Sequence, residues 1–205
     1  GGLLDKRTTV PTMFGTMALT YIAEKAAEIS SKADDDDILD QIKSEVRSLK
    51  WGKMYESEGV DHFKAITGKD VIYHGLSNPK FYEYGEFAGG SPDGDIIDES
   101  AILEMKCPVN GYIHSKRLQI KTIEDFKETH WNEYCQCQMN MHIMDKDYCY
   151  FSSYDPRRVK PITRTKIIKV PRCTDWGAEF DARLDAALGI MCEMIENEEK
   201  FLFIE

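Results

Sequence analysis

The chain has 205 residues, 42% of them hydrophobic and 30% charged, so it can bury a core and is neither disordered nor fibrous. Lys and Arg number 26 against 36 Asp and Glu, a formal charge of −10 that excludes a polycation coating DNA or lipid. No apolar run reaches the roughly 18 residues of a membrane span, and no basic-then-apolar leader is visible. If such a chain handles nucleic acid, it must use local basic patches or bound metal. The length suits one domain over residues 1–205. The start at Gly1-Gly2 without Met carries the expectation of a truncated N-terminus.

Thr16 to Ile29 is Ala-rich with apolar residues at helical spacing. The run Asp34–Asp37 that follows reads as a solvated turn or helix start, where acids favour the helix dipole. Ile38 to Ile66 reads as helix broken near Lys50-Trp51-Gly52, with Gly68 as its C-cap. The middle changes character. Val71–Tyr73, Glu86–Ala88, Asp95–Ile97 and Ala101–Met105 are short runs bounded by Gly, Pro, Asn and Asp, and they predict strands. Trp131 to Met144 returns to helix, and Tyr148–Phe151 and Ile162–Val170 predict two more strands. Asp175 to Glu198 is a long amphipathic helix whose apolar stripe belongs to a core. The sum is a mixed α/β (α+β) domain with helices on the faces of a central sheet.

Six cysteines form no C-x-x-C pair and lie at no zinc spacing from a His, so they read as small thiols in a reducing cytoplasm. The five His show no metal-ligand spacing as a group.

The informative stretch is Gly90-Ser91-Pro92-Asp93-Gly94 followed by Leu103-Glu104-Met105-Lys106-Cys107-Pro108. Glu104 and Lys106 are two apart in a predicted strand, so they share a face. Burying such charges is costly unless they pair or bind metal. A hairpin can bring Asp93 to Glu104, and two carboxylates plus a strand carbonyl make a hard-oxygen site suited to Mg²⁺ or Mn²⁺. Lys106 could then orient a water or stabilise developing phosphorane charge. The plain alternative on spacing alone is a hairpin with an ordinary surface salt bridge.

Pro92-Asp93, a spacer and Glu104-Met105-Lys106 resemble the PD-(D/E)XK nuclease signature. Around it stand, in order, Trp51-Gly52-Lys53-Met54-Tyr55-Glu56, the two blocks just quoted, Gln136-Cys137-Gln138 and Tyr150 to Arg157. This set resembles the phage lambda exonuclease, or YqaJ-type viral recombinase, family from about Leu49 to Arg158. The resemblance implies a PD-(D/E)XK core and two Mg²⁺ ions, with Mn²⁺ as a substitute. It implies Asp93, Glu104, Glu56 and the Met105 carbonyl as metal ligands. Lys106 would orient the water, and Gln136 would be the active-site glutamine. Gln138, about 200° further round the helix, would face elsewhere.

Arg157, Arg158, Lys160, Arg164, Lys166, Lys169 and Arg172 form the densest basic stretch, with no acid among them. It reads as a phosphate track or as a guarded sheet edge. Lys116, Arg117 and Lys121 are a second patch. The resemblance further implies a toroidal homotrimer that resects duplex DNA 5′→3′ from its ends, releases mononucleotides and works with a single-strand annealing protein. The setting would be the cytoplasm of a bacterial host of a phage or prophage. The alternatives are an endonuclease or a nuclease of other polarity on this core, and a silent DNA-binding accessory. The family's N-terminal Arg-Gly and Thr-Ala-Ser block, which binds the 5′ end, is not found; Arg7-Thr8-Thr9 is a weak echo. Strict polarity is therefore left open by the sequence.

Overall fold

The computed structural model describes residues 14–30, 47–75, 78–86 and 88–198. The acidic run at 34–37, the helix expected from Ile38 and the Arg7-Thr8-Thr9 echo fall outside them. Packing groups the chain into two compact units, residues 1–44 with 174–205, and residues 45–173.

The first unit holds helix α1 (Thr16–Ser30) and, at the other end of the chain, the long helix numbered α6 below (Thr174–Glu198). Ala18, Ile22 and Ala26 repeat every fourth residue along one stripe of α1 and pack with Phe14, Ala187 and Met191.

The second unit carries the sheet. Helix α2 (Arg47–Thr67) runs unbroken through Gly52, against the expected break. Gly52 has open space around it, and the helix is stitched to the core by Val60 and Phe63 further on. It stops at Gly68, whose φ of +67° only glycine adopts cheaply and whose N–H donates to the Lys64 carbonyl. Strands β1 (Val71–Tyr73), β2 (Tyr82–Tyr84), β3 (Ala88–Gly90), β4 (Gly94–Ile96) and β5 (Ala101–Lys106) follow. Glu86 sits in a turn, so the strand expected at 86–88 lies later, and β2 was not anticipated. Next come α3 (Gly111–Leu118), α4 (Ile123–Thr129), α5 (Trp131–Ile143), β6 (Tyr148–Tyr154), a 3₁₀ turn (Pro161–Thr163) and β7 (Thr165–Pro171).

The main sheet has the order β1-β4-β5-β6-β7, and β2-β3 is a separate hairpin. Among the described strands only β5 and β6 run parallel. A parallel neighbour needs a long crossover, and α3 to α5 provide it. On one face Val60 and Phe63 of α2 meet Val71, Ile96, Leu103, Met105, Tyr150 and Tyr154. On the other, Phe126 of α4 packs its ring 4.8 Å from that of Phe151. Strand β5 is buried on both sides from Ala101 to Met105. Among the described residues no helix is long and apolar enough to cross a membrane.

Candidate active site

The β4–β5 hairpin brings the signature together. In register, Gly94 stands opposite Leu103, which puts Asp93 beside the C-terminal half of β5. Its Oδ2 accepts the Met105 N–H at 2.6 Å, and its own N–H donates to the Leu103 carbonyl at 3.1 Å. In an antiparallel ladder the N–H and C=O of one residue face the same neighbour. The Met105 carbonyl is therefore directed to the Asp93 side. Lys106 and Glu104 share a face as their spacing requires, and the Lys106 amine donates to Glu104 Oε1 at 2.5 Å. Glu104 is 1% exposed. Its second oxygen accepts from Asn140 Nδ2 at 3.3 Å. Glu56, on α2, has its Oε1 held by the Tyr73 hydroxyl at 2.9 Å.

These three acids feel one another. Burial, then the Glu104 and Glu56 charges, push Asp93 up to about 8 against the pull of the Met105 N–H and Lys106. Burial also raises Glu104, with Lys106 opposing it and Glu56 adding to it. Burial would lower Lys106, but Glu104 and Asp93 outweigh it and hold the amine above its ordinary value. Lys106 is thus an ammonium, a donor and not a base. Three carboxyl groups around one ammonium, with burial raising Asp93 and Glu104, make a set of hard oxygens that lacks a matching cation. That donor set fits a divalent cation of the Mg²⁺ type in kind. Among the described residues no three His, Cys, Asp or Glu already converge to enclose an ion. Asp93 Oδ2 accepts a backbone N–H, and the two Glu104 oxygens accept from Lys106 and Asn140, which orients both carboxyl groups within the fold.

The structure separates the two glutamines. Gln138 is buried and structural: its Nε2 donates to the Pro171 carbonyl and its Oε1 accepts the Cys173 N–H, both at 2.8 Å. Gln136 is half-buried and one turn before Asn140, on the face that reaches Glu104. Asn140 and Tyr73 were not singled out from the sequence. The four-residue step from Gln136 could have flagged Asn140, whereas nothing in the sequence flags Tyr73.

The basic stretch divides. Arg157 donates to Asp155 through Nε and Nη2 and to the Val109 and Pro108 carbonyls, and it lies 4.5 Å from the Trp51 ring centroid. Those bonds fasten the β6–β7 turn to the loop that follows β5. Arg158 donates to Ser115 Oγ, Arg164 to the Arg158 carbonyl and Lys166 to the Ile120 carbonyl. Lys160 is exposed. Along β7, Lys121, Lys166 and Lys169 with Ile120, Ile123, Ile167 and Ile168 line a groove of about 300 Å³ that joins the two basic patches. His114 is buried between Ser153 Oγ and the Thr163 carbonyl, so it is structural. All six cysteines are free thiols; three are buried and Cys192 is exposed.

The sequence profile of the YqaJ-like viral recombinase domain matches residues 11–147, and the chain belongs to that family. Its fold is shared with solved exonucleases. An alkaline exonuclease from Laribacter hongkongensis, LHK-Exo, superposes with a TM-score of 0.68 at 22% identity, over 91% of this chain and 85% of that one. The same enzyme in complex with dAMP gives 0.67 at 21% identity, over 89% and 83%. A phage-related exonuclease from Haemophilus somnus 129PT gives 0.69 at 15% identity, over 90% and 85%. A search of curated proteins finds no significant match.

Proposed function

We propose that this chain is a metal-dependent deoxyribonuclease that resects linear duplex DNA 5′→3′, releases 5′-mononucleotides and leaves 3′ single strands for recombination by annealing. The observation that carries the reading is the set of Asp93, the buried Glu104 and Lys106 at one end of β4 and β5 with Glu56 of α2 acting on them, in a chain of the YqaJ-like family. The solved proteins of this fold are described as exonucleases, one of them holding dAMP, which agrees with a mononucleotide product.

Asp93, Glu104, the Met105 carbonyl and Glu56 would hold two Mg²⁺ ions, or Mn²⁺ in their place. Bound there, the ions supply Lewis acidity for the phosphate and the leaving 3′ oxygen, and a nucleophile near neutral pH. The protein's own groups do the rest. Lys106, kept protonated, donates to the attacking water or the developing phosphorane oxygen. Gln136 lies on the helix face beside Glu104 and orients the scissile phosphate. Tyr73 fixes the Glu56 carboxylate. Lys160, Arg158, Arg164 and the β7 groove with Lys166 supply the phosphate track. The reading extends to a homotrimer, a single-strand annealing partner and the cytoplasm of a bacterial host.

The test uses a 5′-phosphorylated linear duplex, labelled separately at each end, with Mg²⁺. The reading expects mononucleotides from the 5′ ends, a growing 3′ overhang and intact closed circles. Release from 3′ ends, or cutting of circles, overturns it in favour of another polarity or an endonuclease.

A further inference from the structure

We infer that Asn140 is a positioning residue that sets the orientation of the Glu104 carboxylate, and that Gly90 is the glycine that lets it do so. The inference rests on the reading of Glu104 as a metal ligand and goes beyond it to residues outside the signature.

Asn140 is 1% exposed, and its Nδ2 donates to Glu104 Oε2 while Lys106 occupies Oε1. Each oxygen of the carboxylate thus has its own donor. The amide cannot be turned over, because that would set Oδ1 against Oε2, acceptor against acceptor. A neutral donor suits this place. It favours the ionised carboxylate as a cation would, yet brings no charge to repel a metal ion. An aspartate there would add a further carboxylate to a site already crowded with them.

Among the described residues, Oδ1 of Asn140 is buried without a hydrogen-bond partner. What lies against it is the backbone of β3. A Cβ on Gly90 would come within 2.5 Å of Oδ1, closer than side-chain carbons come to any neighbour. With a Cβ at position 90 the amide would have to shift from the place where it reaches Glu104. Gly90 is also three residues before Asp93, so the segment that delivers one metal ligand also seats the residue that holds another. An arrangement that leaves a buried acceptor unmatched costs stability. It is accounted for here by where it places Nδ2. Partners that hold ligand carboxylates typically change metal affinity about 10–100-fold when removed.

The experiment measures Mn²⁺ affinity by titration calorimetry on metal-free full-length protein, with kcat and KM on linear duplex alongside. Asn140→Leu keeps the volume and removes the donor; Asn140→Ala leaves space. Both should weaken Mn²⁺ binding about tenfold or more and lower kcat, with KM for DNA unchanged. Gly90→Ala should reproduce the loss by pushing the amide aside, and should add nothing in the Asn140→Ala background, where the new methyl has room. Glu104→Gln separates the two readings. It should abolish Mn²⁺ binding and activity, and if it does not, the metal-ligand reading and this one fall together. If Glu104→Gln is dead while both Asn140 variants bind Mn²⁺ within twofold of the parent, Asn140 is structural only and this inference alone is overturned. Additive losses from Gly90→Ala and Asn140→Ala overturn the role given to Gly90.

Discussion

Asp93 and Asp95 lie two residues apart at one strand of one sheet, and they have opposite fates. Asp95 Oδ2 accepts from His74 and Tyr82 at 2.9 Å each, with Lys80 at 3.6 Å, and its Oδ1 lies 3.8 Å from Lys146. Burial pulls its pKa up, but the His74 and Tyr82 bonds and the nearby positive charges outweigh that and hold it below the usual carboxylate range. Asp93 has a backbone N–H and two other acids for company, and is pushed up to about 8. An acid matched by cations has finished its work when the chain is folded. Under the proposed function, an acid kept among acids is held for a cation that the chain does not itself supply.

The largest expected effect follows directly. Asp93→Asn should lower turnover on linear duplex on the order of 10³-fold, as should Glu104→Gln, while the fold survives. Asp95→Asn should leave turnover within a few-fold and instead cost about 2 kcal/mol, a melting drop of about 4–8 °C, because a buried His loses a charged partner. An Asp95 variant that is stable but inactive would break the comparison. Lys106→Met should follow the Asp93 side, losing on the order of 10²–10³-fold in kcat. Lys106→Arg should not restore it, because a planar fork cannot stand in for a compact ammonium.

A pH series sharpens the contrast. Folded Asp93 keeps its proton to about pH 8, whereas an unfolded aspartate releases it near pH 4. Its raised pKa therefore destabilises the metal-free fold progressively as pH rises through that window. Asp95 has the opposite sign: its stabilisation is present above the ordinary aspartate value and is lost as pH falls through the depressed one. In EDTA, Asp93→Asn should melt above the parent at pH 8 by about 4 °C or more, with the gap closing toward pH 5, and Mg²⁺ should raise the parent alone. A gap that does not change with pH would mean that Asp93 is not held among unmatched charges.

The grouping of the candidate site residues was legible because its logic is local. Glu104 and Lys106 share a face by the alternation of a strand, and Asp93 arrives by the shortest connection available to it, a hairpin. The strands and long helices were legible by period and punctuation, within a few residues. What escaped was whatever depends on a partner far along the chain. The β2 strand carries tyrosines whose hydroxyls reach Asp95 and, 58 residues away, His142, and no sequence pattern marks those pairs. Helices α3 and α4 are too short for a periodic signal; α4 declares itself only by the Thr122–Asp125 capping box. The internal partner of Arg157 is hidden in the same way, because Asp155 lies just outside the acid-free window 157–172.

That pairing extends the comparison to the cations and gives its smallest effects. Arg157 resembles Asp95, being used internally, with bonds to Asp155 and two carbonyls. Asp155 in turn is buried, which raises it, but Arg157 brings it below the usual range. Lys121 and Lys169 line the groove along β7 with no acid among its walls. Arg157→Ala should therefore lower the melting temperature by about 2–6 °C and leave the salt dependence of DNA binding unchanged. Lys121→Ala should do the reverse, leaving the melting temperature within about 1 °C and reducing the slope of log K against log salt by about 1. Lys169→Ala should behave likewise, with a slightly larger melting change because its amine also lies 3.9 Å from the Tyr148 ring centroid. The measurement is duplex binding in EDTA across 50–200 mM salt, so that chemistry does not consume the ligand. If Arg157→Ala flattens the salt slope and the lysine variants do not, the strand crosses the β6–β7 turn and the groove is bare surface. The rule that a matched charge is structural would then hold for the acids of this fold and fail for its cations.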